Sequence, residues 1–228
     1  MEFGLLAAAL MAVACLWLAL RFEVGRTNPS DQTARLFDSA LIAAIVGLGI
    51  GRIGTMVSGG VNPLSHPLDI LIVRGGVDTV VASAGALAVF AIIARRDLPG
   101  MADTAAPAAL AGLAGWHAGC FTRGACLGTP ADLPWAIAGP SGIGRHPVEV
   151  YAAVALALAW FALILIRRRR SHPGIAASLA IAVAAGARLA TEPMRPTIGG
   201  GPIWWYNLGV AAGLAAAITA WVLGRRRA

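Results

Sequence analysis

Seven apolar stretches, separated by short polar segments, dominate this sequence. A helix needs about 20 apolar residues to cross the hydrocarbon core of a bilayer, where unsatisfied backbone groups cost several kcal/mol. The stretches therefore predict membrane-spanning helices, and the third and fourth have the weakest apolar signal because they are rich in alanine. The predicted helices cover residues 3–20, 36–57, 77–94, 105–121, 148–166, 174–192 and 203–223.

The composition agrees with an all-α, polytopic membrane protein. Of the 228 residues, 58% are hydrophobic and 13% are charged, and the mean hydropathy is +0.74. Soluble domains carry about 25% charged residues. Successive apolar helices bury their polar positions against one another, and no soluble segment interrupts them. We therefore predict a single transmembrane helical domain over residues 1–228.

All 18 basic residues are arginines, and their distribution predicts the topology. Cytoplasmic loops of membrane proteins are enriched in basic residues. Twelve arginines follow the first, third and fifth helices or lie in the C-terminal tail, which predicts an outer N-terminus and a cytoplasmic C-terminus. Their short groups between apolar stretches do not indicate a nucleic-acid partner. These twelve are Arg21, Arg26, Arg35, Arg95, Arg96, Arg167 to Arg170 and Arg225 to Arg227.

The other six arginines fall on the disfavoured outer side. A charge deep in the membrane costs at least about 2.5 kcal/mol and usually faces the interior of the bundle, beside a partner. One such arginine is explained by a side chain that reaches the interface. Six on one side indicate an anion-binding cavity and argue against a purely structural bundle. They are Arg52, Arg74, Arg123, Arg145, Arg188 and Arg195.

The end of the sixth helix carries Arg188, Glu192 and Arg195, spaced i, i+4 and i+7 on one predicted helical face. Arg188 and Glu192 can pair, while Pro193 and Pro196 end or kink the helix. One acid between two bases leaves positive charge that suits a phosphate. The alternative is a structural ion pair that fixes the helix.

The fifth helix opens with Arg145-His146-Pro147, followed by Glu149 and Tyr151. Proline suits the first helical turn, so His146 is predicted at a helix N-terminus, where free N–H groups attract anions. Histidine can also exchange a proton near neutral pH. The alternative is a capped helix start with interfacial aromatic side chains.

The segment Gly115–Gly128 closes the fourth helix and contains His117, Cys120 and Cys126. Its glycines permit tight turns and close approach to a ligand. The two cysteines either form a disulfide or stay free. Zinc bound with His117 and His146 is disfavoured, because two cysteines at this spacing are a weak metal signal. We predict no metal and no cofactor.

Two further motifs have structural explanations. The stretch Gly47–Gly54 brings Arg52 to the outer end of the second helix, and it suits either anion binding or close glycine-mediated packing. Trp204, Trp205 and Tyr206 open the seventh helix and are typical of an interfacial aromatic belt. We assign these three aromatic residues no chemistry.

These motifs, in this order, resemble the prolipoprotein diacylglyceryl transferase family from about residue 45 onward. The ordered set is more specific than any one motif. The matching positions are Gly51-Arg52-Ile53-Gly54, Gly75-Gly76, Gly119-Cys120-Phe121 through Gly128, Arg145-His146-Pro147 with Tyr151, and Arg188, Glu192, Arg195 and Pro196.

The chain departs from the family pattern at four positions. The family histidine after the Gly-Gly pair becomes Val80, and the signature arginine becomes His117. The signature asparagine becomes Cys120, and the glutamate after the tyrosine becomes Ala152. Glu149 lies one turn earlier. The expected position of the general base is therefore lost.

The resemblance implies transfer of a diacylglyceryl group from phosphatidylglycerol to the lipobox cysteine thiol of a prolipoprotein signal peptide. The expected site is the outer face of a bacterial plasma membrane, among membrane lipids, and glycerol phosphate leaves. Our candidate base is His146, oriented by Glu149 or Glu192, with His117 as its rival, while Arg188 stabilises charge on the phosphate. The expected headgroup contacts are Arg52, His117, Arg123, Arg145, Tyr151 and Arg195.

The alternative is a protein of the same fold that binds anionic lipid, or carries a small anion, without covalent chemistry. The valine at position 80 favours this alternative. The ordered match of the other motifs favours the enzyme.

Overall fold

The structure is a computed structural model that describes residues 2–24, 30–70, 76–139, 141–168, 172–196 and 201–226. Its architecture is all-α, which confirms the predicted helical membrane class. A two-residue antiparallel pair, β1 (Ile137–Ala138) and β2 (Gly144–Arg145), lies before the fifth long helix. The helices are α1 (Glu2–Val24), α2 (Ser30–Ser58), α3 (Thr79–Ile93), α4 (Leu98–Ala118), α5 (Cys120–Arg123), α6 (Val148–Arg168), α7 (Ile175–Thr191) and α8 (Ile203–Arg225).

All seven predicted helices are present, but they differ as membrane spans. Among the described residues, five helices are long and apolar enough to cross a bilayer, namely α1, α2, α6, α7 and α8. Helix α3 is apolar but has only 15 residues. Helix α4 has 21 residues and carries Asp103 and Pro107 in an alanine-rich sequence. A bundle with several membrane spans is therefore established, and the number seven stays a prediction.

Helix capping explains where the structure departs from the predicted boundaries. Helix α4 begins at Leu98 rather than near residue 105. The Asp97 carboxylate accepts a hydrogen bond from the Gly100 amide at 3.2 Å, and Pro99 occupies the first turn. Asp78 caps α3 in the same way, 2.9 Å from the Val81 amide. Hydropathy alone missed the α4 start because its first turn is capped rather than apolar.

Helices α2 and α3 pack closely through glycines. A Cβ atom at Gly51 would overlap Ala82 and lie 2.7 Å from Cγ1 of Val77. A Cβ atom at Gly47 would lie 2.6 Å from Cβ of Ala86. Small residues allow helix backbones to approach in this way inside a membrane. The close glycine-mediated packing of this motif is therefore confirmed, while anion binding by Arg52 stays a prediction.

Replacing Gly51 with alanine is expected to destabilise the protein by about 1–3 kcal/mol, because the added methyl group overpacks this contact. Gly49 is the matched control, since a Cβ atom there meets nothing within 4 Å. Gly49→Ala should raise stability by about 0.5–1 kcal/mol by reducing backbone entropy. Thermal unfolding in detergent measures both variants. Equal unfolding temperatures for the two would contradict this packing.

A polar network closes one end of the bundle. The Asp103 carboxylate caps α7 by accepting from the amides of Gly174 at 2.6 Å and Ala177 at 2.8 Å. Arg167 donates to Glu23 at 2.9 Å and to the Asp103 carbonyl at 3.1 Å. Arg167 is thus more than a topology signal, since it ties α6 to α1 and α4.

The opposite end of the bundle gathers the start of α1, the end of α4 and the start of α6. A Cβ atom at Gly119 would lie 2.7 Å from Cα of Ala8, and the Thr122 hydroxyl donates to the Gly4 carbonyl at 3.0 Å. The end of α7 and the start of α8 lie at this same end, because α7 runs parallel to α4 and antiparallel to α8. The motif residues therefore meet here.

Candidate functional site

A disulfide shapes the polypeptide around the site. Cys120 and Cys126 are joined, with Cα atoms 4.8 Å apart, and both residues are buried. This bond resolves the two alternatives left by the sequence and removes both thiolates as metal ligands. Within the described part of the chain, no group of three or more His, Cys, Asp or Glu side chains is arranged to hold a metal ion.

The loop after the disulfide lies between the segment before α6 and the segment after α7 and is hydrogen-bonded to both. The Gly128 amide donates to the His146 carbonyl at 2.7 Å, and the Arg145 guanidinium donates to the Gly128 carbonyl at 3.0 Å. The Thr129 amide donates to the Met194 carbonyl at 2.8 Å. A Cβ atom at Gly128 would overlap that Met194 oxygen, so only glycine fits there. The loop therefore fixes the backbone before α6 and after α7 relative to α4.

Glu149 lies at the centre of the polar cluster. Its Oε2 atom is 2.5 Å from Nδ1 of His117, and its Oε1 atom accepts from Nη1 of Arg195. The three side chains are 11%, 16% and 11% exposed for Glu149, His117 and Arg195. One carboxylate thus joins the end of α4, the start of α6 and the segment after α7.

The position of Arg195 corrects one sequence prediction. We expected Arg195 on the same helical face as Arg188 and Glu192, but α7 ends at Thr191. A single 3-10 turn, Glu192–Met194, follows, and Arg195 has extended backbone angles of φ −87° and ψ 140°. Pro193 explains the change, because proline cannot donate the next helical hydrogen bond. Arg195 consequently pairs with Glu149.

The predicted pair of Arg188 and Glu192 is confirmed, with Nη2 and Oε2 3.2 Å apart. Arg188 also donates through Nε to the Tyr206 hydroxyl at 3.1 Å, with its guanidinium 5.6 Å from the ring centroid. The Gly201 amide donates to Oε1 of Glu192 at 2.6 Å. Arg188 is therefore held by Glu192 in the turn after α7 and by Tyr206 in α8.

Sequence reasoning missed Tyr206. It was grouped with the aromatic belt, yet Tyr206 is 6% exposed whereas Trp204 is 62% exposed. A buried tyrosine hydroxyl usually has a hydrogen-bond partner, and here that partner is Arg188. The sequence did contain a signal for this difference. Trp204 and Tyr206 are two residues apart, so a helix turns their side chains toward different sides.

His146 lacks the carboxylate partner that we expected. Its ring packs edge-on against Tyr151, with centroids 6.1 Å apart, and Trp135 donates to the Tyr151 hydroxyl at 2.8 Å. Its Nδ1 atom is buried and has no hydrogen-bond partner among the described residues. The orienting contact predicted for Glu149 is wrong, because that carboxylate reaches across to α4 instead. The acid–base role of His146 stays a prediction.

The remaining predicted positions lie elsewhere or are not described. Arg52 is buried and donates to the carbonyls of Asp69 at 3.0 Å and Gly76 at 3.2 Å, so it holds the loop between α2 and α3. Its role at a headgroup stays a prediction. Gly75 and the side chain of Arg123 lie outside the described residues.

Val80 stands at the position where the resemblance places the family histidine. It is in the first turn of α3. One turn later, the Ser83 hydroxyl accepts from the Trp205 indole at 2.9 Å, which links α3 to α8. This hydrogen bond was also missed by sequence reasoning.

The charge balance of the cluster differs from the prediction. Two arginines, Arg188 and Arg195, are matched by two glutamates, Glu149 and Glu192. The excess positive charge inferred from the α7 motif alone is therefore cancelled. Arg195 nevertheless keeps Nε and Nη2 buried, with no partner among the described residues. An anion here would be held by directed donors.

The fold and the site define an integral membrane protein with a buried polar cluster of histidine, glutamate and arginine at one end of a helical bundle. Residues 2–225 match the sequence model of the family named prolipoprotein diacylglyceryl transferase. The chain belongs to this family, which confirms the resemblance and the predicted transferase class.

Named relatives match over most of the chain. It is 29% identical over 232 residues to the phosphatidylglycerol–prolipoprotein diacylglyceryl transferase of Solidesulfovibrio magneticus, covering 95% of this chain and 87% of that protein. The protein of the same name from Allorhizobium ampelinum is 30% identical over 235 residues, with 92% and 80% coverage. That from Geobacter sulfurreducens is 33% identical over 156 residues, with 65% and 59% coverage.

Proposed function

We propose that this protein transfers a diacylglyceryl group from phosphatidylglycerol to the lipobox cysteine thiol of a prolipoprotein. Family membership and the names of its relatives support this reaction. The thiolate is the nucleophile and attacks the terminal glyceryl carbon. A C–S bond forms as the C–O bond to phosphate breaks, and glycerol phosphate leaves with the electron pair.

The free donors of Arg195 are the observation that carries this proposal. Its Nε and Nη2 atoms form a planar fork that suits two oxygens of one phosphate. Arg188, 27% exposed, lies four residues before Glu192, where the same 3-10 turn begins, and adds a second guanidinium. Fixed donors of this kind stabilise the negative charge that grows on the leaving phosphate.

We place the site at the outer face of a bacterial plasma membrane, in a bundle of seven spans with the N-terminus outside. The twelve-to-six distribution of arginines supports this orientation. The disulfide beside the site also fits an oxidising compartment. Helices α3 and α4 complete the seven spans, and lipid or neighbouring helices would cover their apolar sides.

A reporter fused to the C-terminus tests the orientation. A cytoplasmic reporter should be active there, because Arg225 and its neighbours lie at the end of the last span and favour the cytoplasmic side. The matched fusion after Ala138, in the hairpin before α6, should be active only with an extracytoplasmic reporter. The opposite pattern would overturn the topology.

The reaction itself is tested with purified protein, labelled phosphatidylglycerol and a lipobox peptide. We expect a thioether-linked diacylglyceryl peptide and stoichiometric glycerol phosphate. A peptide with serine in place of the lipobox cysteine is the control, since it lacks the nucleophile. If phosphatidylglycerol binds to the protein but no thioether forms, the transferase proposal is contradicted.

That last outcome would favour the second candidate, a lipid-binding or anion-carrying protein without covalent chemistry. The observation behind it is Val80, which puts no titratable group at the family histidine position. Saturable binding of phosphatidylglycerol, or movement of a small anion across vesicles, without product would support this alternative.

A further inference from the structure

The site contains a histidine–carboxylate pair, and it differs from the pair predicted from the sequence. We propose that His117 is the group that accepts the thiol proton, with Glu149 as its positioning residue and Arg195 holding Glu149. This inference rests on the proposed transferase function. The resemblance places the signature arginine of the family at His117, at the end of α4, and the family histidine at Val80, at the start of α3.

The hydrogen bond to Glu149 sets the tautomer of His117. A carboxylate paired with a guanidinium can only accept, so Nδ1 of His117 must carry its proton. The lone pair then lies on Nε2, which makes no hydrogen bond among the described residues. A carboxylate behind an imidazole also stabilises the imidazolium that forms when Nε2 takes a proton. Nε2 is therefore prepared as a proton acceptor.

The other three histidines lack this arrangement, and all four are described. His146 has a buried Nδ1 atom without a partner. His66 lies in the exposed loop after α2, 3.0 Å from the Ser65 hydroxyl. His172 packs against Gly224 at the opposite end of the bundle. Among these four histidines, only His117 combines a carboxylate partner with a second ring nitrogen that makes no hydrogen bond to a described residue, and its side chain is 16% exposed.

The net charge of the cluster becomes more positive by one during the proposed reaction. Two arginines pair with two glutamates, and the proposed reaction begins with His117 in its neutral form. The proton moves from the substrate thiol to Nε2, and the thiolate attacks the glyceryl carbon. The cluster then carries one added positive charge as glycerol phosphate departs. Nε2 finally releases its proton to water.

The test separates proton removal from every other function of His117. Asparagine places its amide nitrogen near the position of Nδ1, so His117→Asn keeps a donor to Glu149 but removes Nε2. Two lipobox peptides serve as acceptors, one with cysteine and one with selenocysteine, whose selenol is already ionised near neutral pH. Loss of a positioned base should lower the rate with the cysteine peptide by about 10²–10⁴-fold. The rate with the selenocysteine peptide should stay near that of the unmodified protein.

Matched variants complete the experiment. His66→Asn and His172→Asn should leave both rates unchanged, and turnover of the selenocysteine peptide shows that His117→Asn is folded. His117→Gln is the second variant if the asparagine form is not recovered. Unchanged turnover of the cysteine peptide, or equal losses with both peptides, would overturn the assignment to His117. A selenocysteine-rescued loss in His146→Asn would do the same. No turnover by the unmodified protein would instead contradict the transferase function itself.

Discussion

Arg195→Gln is expected to lower the rate of thioether formation by about 10²–10³-fold, the usual effect of removing one fixed donor from developing negative charge. The structure gives two reasons. Nε and Nη2 are buried donors with no partner in the part of the chain that the structure describes, and Nη1 holds the Glu149 carboxylate. Glutamine cannot supply both contacts. Lysine should also fail, because a single ammonium group does not reproduce the planar fork.

The measurement compares turnover and binding of phosphatidylglycerol by Arg195→Gln and by Arg96→Gln. Arg96 is exposed beyond α3, at the other end of the bundle, so its change should leave the site intact. Because Arg195 contacts the lipid phosphate in this proposal, its loss should lower the rate with the selenocysteine peptide as well as with the cysteine peptide. Equal effects of the two substitutions would show that the outer arginines carry only a topology signal.

The sequence predicted the helices well because hydropathy and helix length are local properties. All seven long helices of the described residues were located, and the two alanine-rich ones, α3 and α4, are not among the five that are long and apolar enough to cross a bilayer. Boundary errors came from caps, as at Asp97, where a polar first turn precedes the apolar run. Glycine packing between α2 and α3 was also visible in the sequence as an alternative.

The site was predicted less well because its contacts are long-range. His117 and Glu149 are separated by 32 residues, and helical periodicity relates only neighbours on one helix. The i, i+7 spacing misplaced Arg195, since Pro193 ended the helix in between. Tyr206 was hidden in an aromatic motif that has an ordinary interfacial explanation.

The departures from the family pattern can be interpreted together only from the contacts in the folded structure. Read along the chain, Val80 removes a base and His117 removes an arginine. In the structure, His117 pairs with the Glu149 carboxylate, and Arg195 contacts the same carboxylate through Nη1 while its Nε and Nη2 atoms have no partner among the described residues. In our proposal, His117 takes the role that Val80 cannot fill, and the linear order of the motifs does not show this.

Glu149→Gln is expected to lower turnover of the cysteine peptide by about 10²–10⁴-fold, the range of positioned proton transfer. In serine proteases, the same carboxylate-to-amide change beside the catalytic histidine costs about 10⁴-fold by imposing the wrong tautomer. If the amide oxygen keeps its contact with Arg195, the amide nitrogen faces Nδ1 of His117. Nδ1 must then accept, the proton moves to Nε2, and Nε2 can no longer take the thiol proton. The opposite amide orientation places two donors face to face at Arg195.

Glu23→Gln is the matched control for this last prediction, because Glu23 is also a buried carboxylate that bridges helices through an arginine. Both substitutions replace a buried carboxyl group that pairs with an arginine by an amide, and both should lower the unfolding temperature. Only Glu149→Gln should change the ratio of the rates with cysteine and selenocysteine peptides, since only Glu149 touches the proposed base. If both variants show the same ratio of rates, Glu149 forms only a structural ion pair. The assignment of His117 as the acceptor of the thiol proton would then be contradicted.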